Sequence, residues 1–163
     1  MFIKPSQFTG TKRLLWYALV IMILLNLVFI FSQSLLSSEA AGEEADTVTD
    51  IIIEVLPEDS AAADYAEDNM DKIAHFTEYA VLGVLVSLFV CFFGKRLEIL
   101  APVSLLFAES IAFIDETVQI FSGRNPDVKD MWADIFGFFT LSLITYMAFF
   151  LVKRCLKKEK QNG

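Results

Sequence analysis

The chain has little of what most catalytic signatures require. Among 163 residues there are two cysteines and one histidine. Cys91 and Cys155 lie beside basic clusters, on the side expected to face a reducing cytoplasm, so a disulfide is not expected. No HExxH zinc motif, Gly-rich phosphate loop or serine or cysteine nucleophile elbow occurs. No internal repeat or low-complexity run is present. Charge is also missing in places: Leu14–Phe31 and Ile135–Val152 contain no charged residue.

What is present is apolar. Hydrophobic residues make up 55% of the chain and include 16 Phe, above the roughly 45–50% of a soluble domain counted with Gly. They fall into four blocks. About 20 apolar residues at 1.5 Å rise cross the ~30 Å hydrocarbon core of a bilayer, so each block reads as a membrane helix. The expected spans are 14–31, 73–93, 97–121 and 126–152, an all-α, four-helix transmembrane bundle. The first block is 18 residues long, apolar except for Asn26, longer than the 7–15 of a signal-peptide core, and reads as an uncleaved helix.

The net charge of -8 is unevenly spread: 12 of 21 acidic residues lie between Glu39 and Asp71, and ten of 13 basic residues occupy three other clusters. Those clusters are Lys4, Lys12 and Arg13; Lys95 and Arg96; and Lys153, Arg154, Lys157, Lys158 and Lys160. Short loops rich in Lys and Arg stay cytoplasmic. Residues 1–13 then form a cytoplasmic arm, 14–152 the membrane domain, and 153–163 a basic cytoplasmic tail. Both termini are inside, and an acidic extracytoplasmic segment, 32–71, separates helices one and two. The positive-inside rule accounts for the basic tail better than nucleic acid binding does.

Within that segment the Ser-, Ala- and Glu-rich first part reads as loose. Val48, Ile52 and Leu56 share a face of a short amphipathic helix stopped by Pro57. Asn69 or Asp71 is the expected N-cap of the second span, and Asn125 with Pro126 the expected start of the fourth.

With this topology three polar groups reach one membrane face. Helix two brings Lys72, His75, Glu78 and Tyr79. Helix three brings Asp115, Glu116 and Gln119. The following loop and helix four bring Arg124, Asp127, Asp130 and Asp134. Lys72, His75 and Tyr79 share a helical face, and the last three acids form one stripe over two turns. An ionised residue at the bilayer centre costs about 2.5–3.5 kcal/mol on insertion scales. These side chains are therefore expected to turn inward, pair with Lys72, Arg124 or His75, and hold water. Taken singly, Asp127 and Asp130 are ordinary helix-start acids. Their crowding at one end points to a shared binding site. His75 with Glu78 and Glu116, or Asp115, supplies weak metal-ligand candidates. Glu109, near the middle of its span, is expected to bond Asn26 or Ser142, with a proton path as the alternative. No catalytic residue or cofactor is readable.

The segments FSQS (Phe31–Ser34), KIAHFTEYAVLG (Lys72–Gly83) and DETVQIFSGRNPDVKDMWADIFG (Asp115–Gly137) resemble the VanZ-like family of small bacterial integral membrane proteins. The pattern looks like K-x-x-H-F-x-x-Y with a later L-G, then D-E-x-x-Q-x-F, G-R and D-x-x-x-D-x-x-G. The resemblance implies a multi-pass protein of the bacterial cell membrane. It also implies an association with low-level resistance to the glycopeptide teicoplanin. The leading expectation is a site at the outer leaflet that binds or acts on a cell-envelope or lipid-linked molecule. Its partners would be membrane lipids and a lipid-linked envelope precursor or lipophilic antibiotic. A metal-assisted hydrolase or transferase on a lipid-linked phosphate or sugar, and a non-enzymatic membrane scaffold, stand as alternatives.

Overall fold

A computed structural model describes residues 2, 5–8, 10–55, 61–125 and 127–162, with side chains 38, 44, 50, 52–55, 61–64, 66, 67, 160 and 162 outside the description. Its elements are all helical. A 3-10 turn at Pro5–Gln7 precedes α1 (Thr11–Ser34), α2 (Ser38–Val55), α3 (Ala61–Phe93), α4 (Leu97–Phe121) and α5 (Val128–Asn162). Four stretches are long and apolar enough to cross a membrane: Thr11–Ser34, Asp68–Phe93, Leu97–Phe121 and Val128–Glu159. The 24 residues of α1 rise about 36 Å, enough for a ~30 Å core. α5 is longer still and runs on through the basic tail.

α3 is the central helix. It packs most extensively on α5 and also touches α1, α2 and α4. Leu82, Val86 and Val90 of α3 meet Ile30 of α1, Leu100, Ala108 and Ala112 of α4 and Phe138 of α5 in one buried cluster. α1 buries only Leu19, Ile30 and Ser34. Leu14, Leu25 and Val28 stay 70%, 62% and 65% exposed. Such a helix, apolar all round, suits lipid on its outer face.

Two glycines set how closely α3 and α5 approach. A Cβ added at Gly83 would lie 2.5 Å from the Phe138 carbonyl oxygen, and one at Gly137 would run into the Phe76 carbonyl. Small residues at such crossings let membrane helices meet backbone to backbone. The Ser142 hydroxyl donates to the Gly83 carbonyl across the same seam, at 3.2 Å.

The two ends of the bundle differ. At one end Phe8 packs on Phe93 and Trp16 on Phe89, and Phe2 bridges to Gly94 in the turn between α3 and α4. α5 reaches the same end, where Phe149 meets Phe92. Lys12, Arg13, Lys95, Arg96, Lys153 and Arg154 thus gather there. The opposite end collects the C-termini of α1 and α4 and the start of α5.

Several local expectations change. The segment expected to be loose is helical from Ser38, because Ala and Glu are strong helix formers. The expected stop at Pro57 lies outside the described residues. Asn69, one of the two expected starts of the second span, is a boundary within α3: two helical stretches join there across a kink, with φ -132° and ψ 23°, and its side-chain amide donates back to the Tyr65 carbonyl at 3.1 Å. Glu109 bonds neither Asn26 nor Ser142. It is exposed on α4, because the inward stripe runs through Ala108, Ala112, Asp115 and Gln119, and the next residue after Ala108 points about 100° away.

Replacing Gly137 with Ala is expected to force α3 and α5 apart. Overpacking of this kind costs typically ~1–3 kcal/mol. A lowered midpoint of thermal unfolding in detergent checks it, and an unchanged midpoint contradicts the close contact.

Candidate functional site

The helix seam places the most buried polar groups. His75 and Tyr79, one turn apart on α3, are both buried, as is Asp134 on α5. His75 Nδ1 lies 2.9 Å from Asp134 Oδ1 and 3.9 Å from Asp115 Oδ2. Gly137 stands nearly one turn beyond Asp134, so the backbone approach that it permits also brings Asp134 to His75. Without water, a carboxylate at this depth is tolerable only with such a partner.

Asp115 is tied from three helices. Ser34, the last residue of α1, donates its hydroxyl to Asp115 Oδ1. Gln119, one turn along α4, donates to Oδ2 at 3.4 Å. His75 of α3 completes the set. The Ser122 hydroxyl bonds the Ser34 carbonyl at 2.8 Å and fixes the end of α1 against the end of α4.

α4 ends in a Schellman motif. The Gly123 N–H meets the Ile120 carbonyl at 3.3 Å and the Arg124 N–H the Gln119 carbonyl at 3.0 Å. Gly123 has φ +81°, the left-handed conformation that a C′ glycine supplies. The start of α5 then turns back over α4. The Asp127 N–H donates to Glu116 Oε2 at 3.1 Å, while Asp127 Oδ1 accepts from the Lys129 N–H at 2.9 Å. Asp127 thereby caps α5, the role expected of Asn125. Pro126 lies outside the described residues.

A cavity of about 200 Å³ opens beside this cluster. Ser34, His75, Glu78, Asp115, Gln119 and Arg124 give it a polar wall, and Ala41, Ala45 and Val48 of α2 an apolar one. Its volume is close to that of several water molecules at ~30 Å³ each.

The structure sorts the sequence candidates into layers. His75, Asp115, Glu116 and Asp134 converge: one ligand atom from each lies within 4.8 Å of all the others. Of the weak metal-ligand candidates His75, Glu78, Glu116 and Asp115, Glu78 is absent from that group and lines the cavity instead, while Asp134 joins the other three. Asp130 is buried, within electrostatic range of His75, Asp127 and Lys72. Of the partners expected for these acids, Lys72, Arg124 or His75, the one found is His75. Among the described residues neither Lys72 nor Arg124 forms an ion pair within 4.0 Å. Arg124 faces the cavity within electrostatic range of Glu78 and Asp115. Tyr79 is fully buried with no hydrogen-bond partner for its hydroxyl among the described residues, within electrostatic range of Asp134 and Asp115. Sequence reasoning missed Ser34 as a site residue and the first part of α2, with Ala41 and Ala45, as a wall. Only the FSQS segment carried a signal for Ser34.

The family model described as VanZ/LLP1 matches residues 14–151. No curated protein and no solved structure matches the chain.

Two aspartates, Asp127 just before α5 and Asp134 on it, separate cap from cluster. Asp134→Ala leaves His75 buried without its partner and is expected to cost about 3–5 kcal/mol. Asp127→Ala removes a cap and is expected to cost ~1 kcal/mol. Unfolding of the detergent-solubilised variants ranks the two, and the reverse order contradicts these roles.

Proposed function

The chain belongs to the VanZ/LLP1 family, and from that premise and the geometry of the cavity we propose that this multi-pass membrane protein binds the anionic headgroup of a cell-envelope or lipid-linked molecule at the outer leaflet. The observation that carries the reading is Arg124: a guanidinium facing a polar cavity at one end of the bundle with no ion pair among the described residues. Arg recognises phosphate and carboxylate through paired, charge-assisted hydrogen bonds. Gln119 and Ser34 add polar groups to the same wall.

The size of the cavity narrows the ligand. Sites for drug-sized molecules span about 300–1,000 Å³, and 200 Å³ accommodates a phosphate-sized head with a few waters rather than a whole glycopeptide. The reading therefore favours an envelope lipid precursor over the antibiotic itself. Reduced susceptibility to teicoplanin-type glycopeptides would follow from altered handling of that precursor at the bacterial surface. The outward orientation draws support from the basic groups gathered at the opposite end, since such clusters stay cytoplasmic.

Two measurements test it. In a chain freed of Cys91 and Cys155, a cysteine at Phe121, 84% exposed, is expected to react with a membrane-impermeant thiol reagent on intact cells. Labelling only after permeabilisation contradicts the orientation. Arg124→Ala, at normal membrane levels, is expected to weaken binding of a phosphate-headed lipid about tenfold or more, since hydrogen bonds to charged groups contribute ~1.5–3 kcal/mol. It should also raise susceptibility to teicoplanin. Unchanged lipid binding overturns the headgroup reading.

A further inference from the structure

We propose that His75, Asp115, Glu116 and Asp134 hold a divalent cation at the floor of the cavity, where it presents positive charge to the phosphate of the headgroup. The proposal deepens the headgroup reading and rests on it only for the identity of the second ligand.

Three observations carry the cation itself. The first is spacing. The four ligand atoms lie within 4.8 Å of one another, and His75 Nδ1 and Asp134 Oδ1 are 2.9 Å apart. A six-coordinate shell with bonds of about 2.1–2.4 Å has adjacent ligands ~3.0–3.4 Å apart and opposite ones ~4.2–4.8 Å apart. The observed separations fall close to that range.

The second is unmet polarity. Asp134 is fully buried and Glu116 is 8% exposed, yet Asp134 Oδ2 and Glu116 Oε1 have no hydrogen-bond partner among the described residues. Two carboxylate oxygens in this condition, within a group whose ligand atoms converge, are what a metal shell satisfies. Asp115, by contrast, is already oriented by Ser34 and Gln119, as outer partners orient metal-ligating carboxylates.

The third is charge. Three carboxylates around a neutral imidazole and a divalent ion leave one negative charge. Arg124 lies within electrostatic range of Asp115 and offsets it. One imidazole, three carboxylates and no thiolate suit Mn²⁺ better than a soft ion. His75 and Asp115 belong both to this group and to the cavity wall, so an ion held there would border the bound head.

The test uses full-length, tag-free protein in detergent and Mn²⁺ alone as the probe, read by electron paramagnetic resonance. About one Mn²⁺ per chain is expected. His75 is the only histidine in the chain, so spin-echo modulation from a single imidazole nitrogen in the wild-type protein would place the ion at His75 without any substitution. Asp134→Asn and Glu116→Gln, confirmed folded by circular dichroism, should lose the bound ion. Ser34→Ala should bind it about 10–100-fold more weakly, as removal of an outer-shell partner does. Glu43→Gln, an exposed acid on α2, should retain it. Three results would overturn the proposal: no binding by folded wild-type protein, bound Mn²⁺ without an imidazole signal, or binding by Asp134→Asn and Glu116→Gln as tight as that of the wild type. The metal is measured with no headgroup present, and the Arg124→Ala phenotype with no metal assay, so either reading can fail alone.

Discussion

The backbone contact between α3 and α5 is the constraint on which the rest depends. Gly83 and Gly137 let the two helices meet carbonyl to Cα, and that approach decides which side chains along the seam can touch. In lipid no hydrophobic force draws helices together, so packing and interhelical polar contacts must do it. Here the two act in series. The glycines bring the backbones close, and closeness gives Asp134 the only histidine in the chain as its partner. Asp115, Glu116 and Gln119 are then added from α4 and Ser34 from α1. A wider spacing between α3 and α5 would leave these carboxylates facing one another without the imidazole at their centre.

The bundle is polar in a second sense, along its length. One end carries aromatic packing and exposed basic side chains, and the other a buried acidic cluster with an arginine and a lysine in range. The division follows from cost. Basic side chains at helix ends reach the water–lipid boundary on long flexible stems. Short carboxylates two turns into a span have no such reach and must be satisfied by protein. The same logic explains the inward stripe of α4, where small alanines admit neighbouring helices and Asp115 and Gln119 follow on the same face. Glu109 breaks this pattern: it stands on the outer surface of α4.

The four spans and the crowding of polar residues at one end were legible because both are properties of single segments. Apolar runs of this length have few soluble alternatives, and turn-by-turn spacing shows which residues share a face. Which of those residues touch is a property of pairs, and spacing within a helix does not give it. Glu78 and Asp134 illustrate the limit. Both lie on expected inward faces, yet only Asp134 joins the convergent group, because the rotation of α3 against α5 is fixed by the glycine contacts. Ser34 was harder still, since its partner is 81 residues away. α2 was misread for a different reason: its inward residues include Ala41 and Ala45, too small to register as an apolar stripe although they wall the cavity.

The way α4 ends has a mechanical consequence. The bond from the Arg124 backbone to the Gln119 carbonyl closes the last turn of the helix, so the cation at the rim of the cavity and the amide at its floor belong to one rigid corner. Ser122, in the same corner, also holds the end of α1. A pull on the guanidinium is therefore not absorbed by a slack loop. It is transmitted into the footing of α1 and α4 together, and rim and floor shift as a unit.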